Sequence, residues 1–236
     1  MPLAEASDIQ ASAPLPGLVE RIATAIRIAP EGLPYVAGVA LVALILLAFG
    51  WSRIGAGVLI LAAAIGAFFR DPDRNFVTPP NAMLSAADGK VTDVSEGPLP
   101  GDQSGEQFHR VSVFMSPLDV HVNRVPVTGE VVAVAHMSGG FRAAFRDDAN
   151  EHNERNLITF ADAAGRRYAI MQIAGYLARR IVCRVRPRDA VVRGQRLGLI
   201  MFGSRVDHFL PAGYRVTVRT GDRVSAGISV IGDLLQ

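Results

Sequence analysis

The sequence predicts a mainly β, barrel-sandwich-like domain preceded by an N-terminal hydrophobic helical hairpin. Three observations predict it. From Leu84 onward, short β-rich runs recur between glycines at a spacing of roughly ten residues. Before residue 70, two long apolar runs stand almost back to back. Half of the residues are hydrophobic and only 19% are charged, which excludes disorder and collagen-like structure. A chain of 236 residues holds one sizeable domain plus an appendage and is too short for two full enzyme domains.

Residues 1–30 are rich in Ala and Pro, with a weak amphipathic stretch at Leu18–Ile28, and read as a tail or a surface helix. The hairpin is assigned to residues 31–75. Its halves are YVAGVALVALILLAFG (Tyr35–Gly50) and IGAGVLILAAAIGAFF (Ile54–Phe69), separated only by Trp51, Ser52 and Arg53. Sixteen residues make about 24 Å of helix, short of the roughly 30 Å of a bilayer core. Tyr35 and Trp51 can extend the fit at the interfaces. A secretory signal is disfavoured because the apolar run starts late and lacks a cleavage site before a polar mature chain. A buried hairpin in a soluble core is the competitor, and a membrane hairpin is preferred. Arg21 and Arg27 precede it, Arg70 and Arg74 follow it, and Arg53 alone marks the turn. The positive-inside tendency then places both ends and the downstream domain in the cytoplasm of a cell-membrane protein.

Pro72 and Pro79-Pro80 stop the second helix. The β-rich domain, residues 76–236, reads as GKVTDV, RVSVFM, GEVVAVAHM, NLITFAD, RRYAIMQIAG, RRIVCRV, RLGLIMFG, YRVTVRTGDRV and ISVIGDL. Asp88-Gly-Lys-Val91 and Val192–Ile200 look like tight turns of a small barrel-sandwich, and Ser138-Gly-Gly-Phe141 like a short link.

Composition narrows the chemistry. A single cysteine, Cys183, excludes a disulfide framework and a multi-thiolate metal site. A net charge of +2 does not indicate nucleic-acid binding. Lys90 is the only lysine, so a pyridoxal enzyme has one Schiff-base candidate and a lipoyl or biotinyl carrier has one acceptor. Carbonyl chemistry therefore needs an electrophile from elsewhere. Of the five histidines, His109, His136 and His152 show no metal-ligand spacing and no HxxxD…HxH pattern is present, so no metal is expected.

In Leu199–Pro211 a hydrophobic run meets Gly203-Ser204 and then Arg205. Gly-Ser alone is mostly a turn. Asp119, His121 and Asn123 alternate, which puts them on one face if the segment is extended, where a carboxylate could orient the histidine. The bland alternative is a solvated polar strand face. Asp88 before Gly89 reads equally as an ordinary turn aspartate.

Phe202-Gly-Ser-Arg-Val-Asp207 resembles the processing motif of phosphatidylserine decarboxylase proenzymes in their short (type A) branch. Phe68-Phe-Arg-Asp-Pro-Asp-Arg74, Ala87-Asp-Gly-Lys-Val91, Phe114-Met-Ser-Pro-Leu-Asp-Val-His-Val-Asn-Arg124, Asn153-Glu-Arg-Asn156 and Gln172–Cys183 resemble the same branch, in order, over residue 30 to the C-terminus. The resemblance implies self-cleavage between Gly203 and Ser204. Ser204 Oγ attacks the Gly203 carbonyl, an ester forms, elimination leaves dehydroalanine at residue 204, and loss of ammonia converts that to a pyruvoyl group. The implied products are a β chain (1–203) and an α chain (204–236), which stay together. The covalent pyruvoyl cofactor then answers the shortage of lysine: it takes the amine of phosphatidylserine as a Schiff base, stores the electrons left by carbon dioxide, and phosphatidylethanolamine is released. No PLP and no metal are needed.

The resemblance makes Ser204 and His121 catalytic and matches Asp88 to the aspartate of a self-cleavage triad. The longer branch has a second histidine three residues after the first. Arg124 stands there, so which residue is the self-cleavage base stays open. Arg155 and Asn156 are weaker substrate-binding candidates, Arg179 and Arg180 could face anionic lipid, and His208 reads as local variation. Partners implied are phosphatidylserine in the membrane and the chain's own two halves, with no nucleic acid; a homo-oligomer is left open. Competing readings are a membrane-tethered non-catalytic adaptor, a zinc endopeptidase, and a pyruvoyl decarboxylase of a related amino-acid substrate.

Overall fold

The structure, a computed structural model, describes residues 26–74, 79, 81–140, 153–175, 180–201 and 204–235. The chain divides into two compact units, Met1–Ala67 and Phe68–Gln236.

The first unit is the helical hairpin. A 3₁₀ turn (Pro30–Gly32) leads into α1 (Leu33–Ala48), and α2 (Ser52–Phe68) follows after three residues. Helix α1 ends in a Schellman motif. Trp51 N–H reaches Leu46 O and Gly50 N–H reaches Leu47 O, with Gly50 at φ +82° where an L side chain would be strained. The helices pack antiparallel through small residues. A Cβ on Gly55 would sit 2.7 Å from the Leu47 side chain, and Ala43 is fully buried. Outside that seam the apolar side chains face outward: Leu41, Leu44, Phe49, Ile54, Ile60 and Leu61 are each more than half exposed. Apolar residues all round a helix suit lipid rather than water. Pro30–Ala48, at 19 residues, is long and apolar enough to cross a membrane, and Ser52–Phe68 is shorter. The arrangement is compatible with membrane association. The expected tail lies outside the described residues up to residue 25.

The second unit is mainly β. Its strands are β1 (Ala82–Leu84), β2 (Gly89–Pro98), β3 (Gln107–Met115), β4 (Val122–Arg124), β5 (Gly129–Met137), β6 (Arg155–Ala161), β7 (Arg167–Ile173), β8 (Ile181–Cys183), β9 (Ala190–Val191), β10 (Arg196–Ile200), β11 (Ser204–Pro211), β12 (Tyr214–Val216), β13 (Arg223–Val224) and β14 (Val230–Leu234). Eight form one curled sheet in the order β13-β2-β3-β11-β7-β6-β5-β9. Among the described residues two three-stranded sheets, β1-β14-β12 and β4-β10-β8, accompany it. All the described pairings between strands are antiparallel.

Strand β11 is central. Eight of its residues pair with β3 and five with β7, and all eight are buried. Alternation splits them between two environments. Val206 and Leu210 join the main core with Val113, Ile170, Ile158 and Leu197. Phe209 belongs instead to a second cluster with Phe108, Leu157, Met171 and Ile173. Ser204 and His208 share the side of Val206, while Arg205 and Asp207 share the side of Phe209.

Candidate active site

Ser204 opens β11 and lies opposite Met115 of β3. It is fully buried, and among the described residues its Oγ has no hydrogen-bond partner. Gly203 lies outside the described residues.

His121 immediately precedes β4. Its carbonyl accepts from Ile200 N–H at 3.4 Å, so β4 and β10 hold it beside the end of the strand that leads to residue 204. The ring is 2% exposed and its centroid lies 4.2 Å from that of Phe68. Nδ1 lies 2.9 Å from Asp119 O and donates to it. That bond fixes the tautomer and leaves Nε2 as the lone-pair nitrogen, buried and without a partner among the described residues. Burial holds the imidazole down to about 4, with Arg70 adding to the depression and the bond to Asp119 opposing it. His121 is therefore neutral at physiological pH and able to accept a proton.

One expectation is corrected here. The alternation of Asp119, His121 and Asn123 suggested one extended run with the carboxylate orienting the imidazole. The strand instead starts at Val122, and Asp119 sits in a turn closed by its own N–H to Ser116 O. Its carboxylate caps Ser116 at 2.8 Å and 2.7 Å and meets Arg223 at 2.6 Å. The aspartate orients His121 through its backbone carbonyl. A pattern of polar residues at even spacing cannot distinguish a strand from a turn that its side chains cap.

Asp88 lies in the turn between β1 and β2. Its Oδ1 accepts Ala226 N–H at 2.7 Å, and Oδ2 pairs with Arg74 at 2.8 Å. Gly89 must follow it, because φ is +150° and a Cβ would lie 2.1 Å from Phe114 O. His208 turns out to be a fixture of this turn. It is fully buried, accepts Ala86 N–H at Nε2 (2.8 Å) and donates from Nδ1 to Val111 O (2.9 Å). Burial holds it too at about 4, so it stays neutral.

Arg124 is tied up structurally. Its guanidinium donates to Gly194 O, Pro72 O and Asp71, the last at 2.7 Å. Asp71 is 1% exposed and also pairs with Arg196. The Phe68–Arg74 motif thus reaches four parts of the site: Phe68 to His121, Arg70 to Leu118 O, Asp71 to Arg124 and Arg196, and Arg74 to Asp88.

Arg155 and Asn156 are separated by the pleat of β6. Arg155 lies on the side of Met137, where Nε donates to Sδ at 3.3 Å, and it lines a cavity of about 490 Å³ with Arg110, Met171 and Phe209. Asn156 faces the other way, is buried, and donates to Gln172 Oε1 at 3.0 Å. Gln172 in turn donates to Asn123 Oδ1 at 2.9 Å. This buried chain of three amides was not legible as a site, although each residue lies in a motif quoted above. Lys90 is exposed. Arg180 is exposed and its carbonyl accepts from Met201 N–H, while Arg179 and His152 lie outside the described residues. Among the described residues no group of three His, Cys, Asp or Glu side chains could hold a metal ion.

Arg205 and Asp207 form a buried pair, with Nε 2.9 Å from Oδ1 and Nη2 donating to Oδ2 at 3.1 Å. Burial pushes the Asp207 carboxyl above the usual carboxylate range, and Arg205 pulls the other way.

The family model described as phosphatidylserine decarboxylase matches residues 61–232. Three proteins named phosphatidylserine decarboxylase proenzyme are similar over nearly the whole chain. The Solidesulfovibrio magneticus protein is 42% identical over 204 residues, covering 86% of this chain and 94% of the relative. The Geobacter metallireducens protein is 41% identical over 212 residues, covering 87% and 95%. The Saccharopolyspora erythraea protein is 44% identical over 211 residues, covering 88% of each. With that match and these relatives, the chain belongs to the phosphatidylserine decarboxylase family.

Proposed function

We propose that this enzyme decarboxylates phosphatidylserine to phosphatidylethanolamine and carbon dioxide, using a pyruvoyl group that it makes from Ser204. The observation that carries this is a buried Ser204 hydroxyl at the head of the central strand, unpartnered among the described residues, in a fold that also buries an unpartnered neutral His121 Nε2. Most buried hydroxyls are hydrogen-bonded, so a buried serine without a partner calls for an explanation, and a nucleophilic role supplies one.

Ser204 Oγ attacks the Gly203 carbonyl as its proton passes to a base, and His121 Nε2 is the base we favour. Glycine at the attacked position leaves the approach open. The ester then breaks by elimination, releasing the chain that ends at residue 203 as a carboxylic acid and leaving dehydroalanine at residue 204, whose imine tautomer takes up water and loses ammonia to become the pyruvoyl terminus. Asp88, locked by Arg74 and Ala226, shapes the neighbouring turn rather than taking the proton from Ser204 directly. Antiparallel pairing with β3 and β7 holds the 204–236 chain in place after cleavage. When present, the pyruvoyl ketone supplies the electrophile for the substrate amine and the sink for the electrons left by carbon dioxide. His121 then moves the proton at its Nε2, and the wall of Phe68 and the main core excludes water. The hairpin anchors the enzyme to the cell membrane, with the β unit on the cytoplasmic side, where the lipid substrate is concentrated in two dimensions.

The test is a denaturing gel and mass analysis of the membrane-extracted enzyme. Wild type should give a 33-residue fragment with a blocked, borohydride-reducible N-terminus, and Ser204→Ala should give neither fragment nor carbon dioxide. An intact, fully active Ser204→Ala protein would remove the mechanism.

A further inference from the structure

We infer that Asn123 is a catalytic residue of self-cleavage, donating a hydrogen bond to the oxyanion that forms at residue 203. This rests on the self-processing read above and names a residue that reading did not use.

Asn123 is fully buried in β4. Its carboxamide cannot turn freely. Gln172 Nε2 donates to Oδ1 at 2.9 Å, and Gln172 is itself set by Asn156 Nδ2 donating to Oε1 at 3.0 Å. All three amides are at most 2% exposed. The consequence is that the Asn123 amino group points away from Gln172. There, among the described residues, it meets only the thioether sulfur of Met115, at 3.7 Å. Sulfur is a weak acceptor, so a buried N–H donor is left under-used, which is costly unless something else repays it.

Met115 is the residue directly opposite Ser204 across the β3–β11 pair. Opposed residues of an antiparallel pair point to the same face, their Cβ atoms roughly 5 Å apart. The under-used donor is therefore linked through one side chain, that of Met115, to Ser204, whose Oγ has no partner among the described residues. The attacked carbonyl carbon is bonded to Ser204 N, so the reaction takes place one covalent bond from this residue. Along the chain, His121 is two residues from Asn123, about 7 Å in an extended segment. Base and donor come from one segment, residues 121–123, and the nucleophile from the head of β11.

In the step, Ser204 Oγ bonds to the carbonyl carbon and its proton goes to His121 Nε2. The carbonyl π electrons move onto oxygen, and Asn123 Nδ2–H donates to that oxyanion. The carbonyl then reforms, the C–N bond breaks, and the proton returns to the Ser204 nitrogen, giving an ester and a free amine. Gln172 and Asn156 are positioning residues that aim the donor.

Asn123→Asp keeps the size and removes the donor while the new carboxyl is ionised. The precursor is made by cell-free synthesis with phospholipid vesicles, and cleavage is followed by gel against time from pH 8 to pH 5. The expected result is cleavage slowed about 10²–10³-fold at pH 8. It should recover as pH falls, because the introduced carboxyl, once protonated, again offers an O–H donor. Cleavage at the wild-type rate at pH 8, or an equal defect at every pH, overturns the role of Asn123. If Asn123→Asp does not fold, judged by protease resistance, Gln172→Leu decides. Asn123 is then intact but unaimed, and about tenfold slower cleavage supports the role whereas an unchanged rate overturns it. A wild-type chain that never releases residues 204–236 sinks the self-processing reading itself and not merely the part given to Asn123.

Discussion

The hairpin and the β unit invert each other's surface logic. The hairpin turns Leu41, Leu44, Ile60 and Leu61 outward, while the β unit takes Asp71, His121, Asn123, Gln172, Arg205, Asp207 and His208 inside. The same physical rule governs both. Apolar surface stays out only where the surroundings are apolar, and polar groups go in only where partners compensate. In the β unit the compensation is specific. Arg124 and Arg196 hold Asp71, Arg205 holds Asp207, and His208 spans two backbone segments. Among the described residues Ser204 Oγ, His121 Nε2 and Arg74 Nε have neither a hydrogen bond nor an ion pair, and the first two are the nucleophile and base of the proposed reaction.

The largest way to break this comparison is to strip one buried partner. Arg205→Ala leaves Asp207 fully buried and should cost about 3–5 kcal/mol in denaturant unfolding of the β unit. The double change Arg205→Met with Asp207→Leu should recover most of that. A single change within about 1 kcal/mol of wild type would mean the pair is not effectively buried.

The next effect is a pH dependence. His121 and His208 are both held at about 4 by burial, below the ordinary 6.5. The folded state then binds fewer protons than the unfolded chain between those values. The stability this supplies is present above pH 6.5 and is lost as pH falls toward about 4, by roughly 3 kcal/mol per histidine. Unfolding measured from pH 7 to pH 4 should fall in that direction, and His208→Gln should flatten the slope. Equal slopes in both proteins would mean that His208 protonates without cost in the fold.

The smallest effect on the β unit should come from the hairpin. Ile60 is 72% exposed, and Ile60→Lys should change β-unit stability by less than about 0.5 kcal/mol. It should nonetheless lower the membrane-bound fraction, since a lysine near a helix centre costs about 2.5–3.5 kcal/mol to insert. Flotation with vesicles reads the partition and a gel reads cleavage. Unchanged flotation would remove the lipid-facing role of this surface.

The hairpin and most strands were legible because hydrophobic length and alternation are local properties. Strand β11 was not, although it is the centre of the sheet. Its residues Ser204, Arg205, Asp207 and His208 look like a polar turn after Gly203, and only pairing with β3 on one side and β7 on the other makes them interior. Val206, Phe209 and Leu210 were the signal that could have found it. Asp119 failed in the opposite sense, since a side chain that caps a turn mimics strand alternation.

By itself the sequence determined which residue types exist to do chemistry: one lysine, a Gly-Ser junction and a histidine in a distinctive motif. Tertiary structure alone decided which of them lack partners, which imidazoles stay neutral, and that Asn156, Gln172 and Asn123 form one aimed chain. The reason is that hydrogen-bond satisfaction and burial are relations between segments far apart in the chain. Periodicity reports only on neighbours.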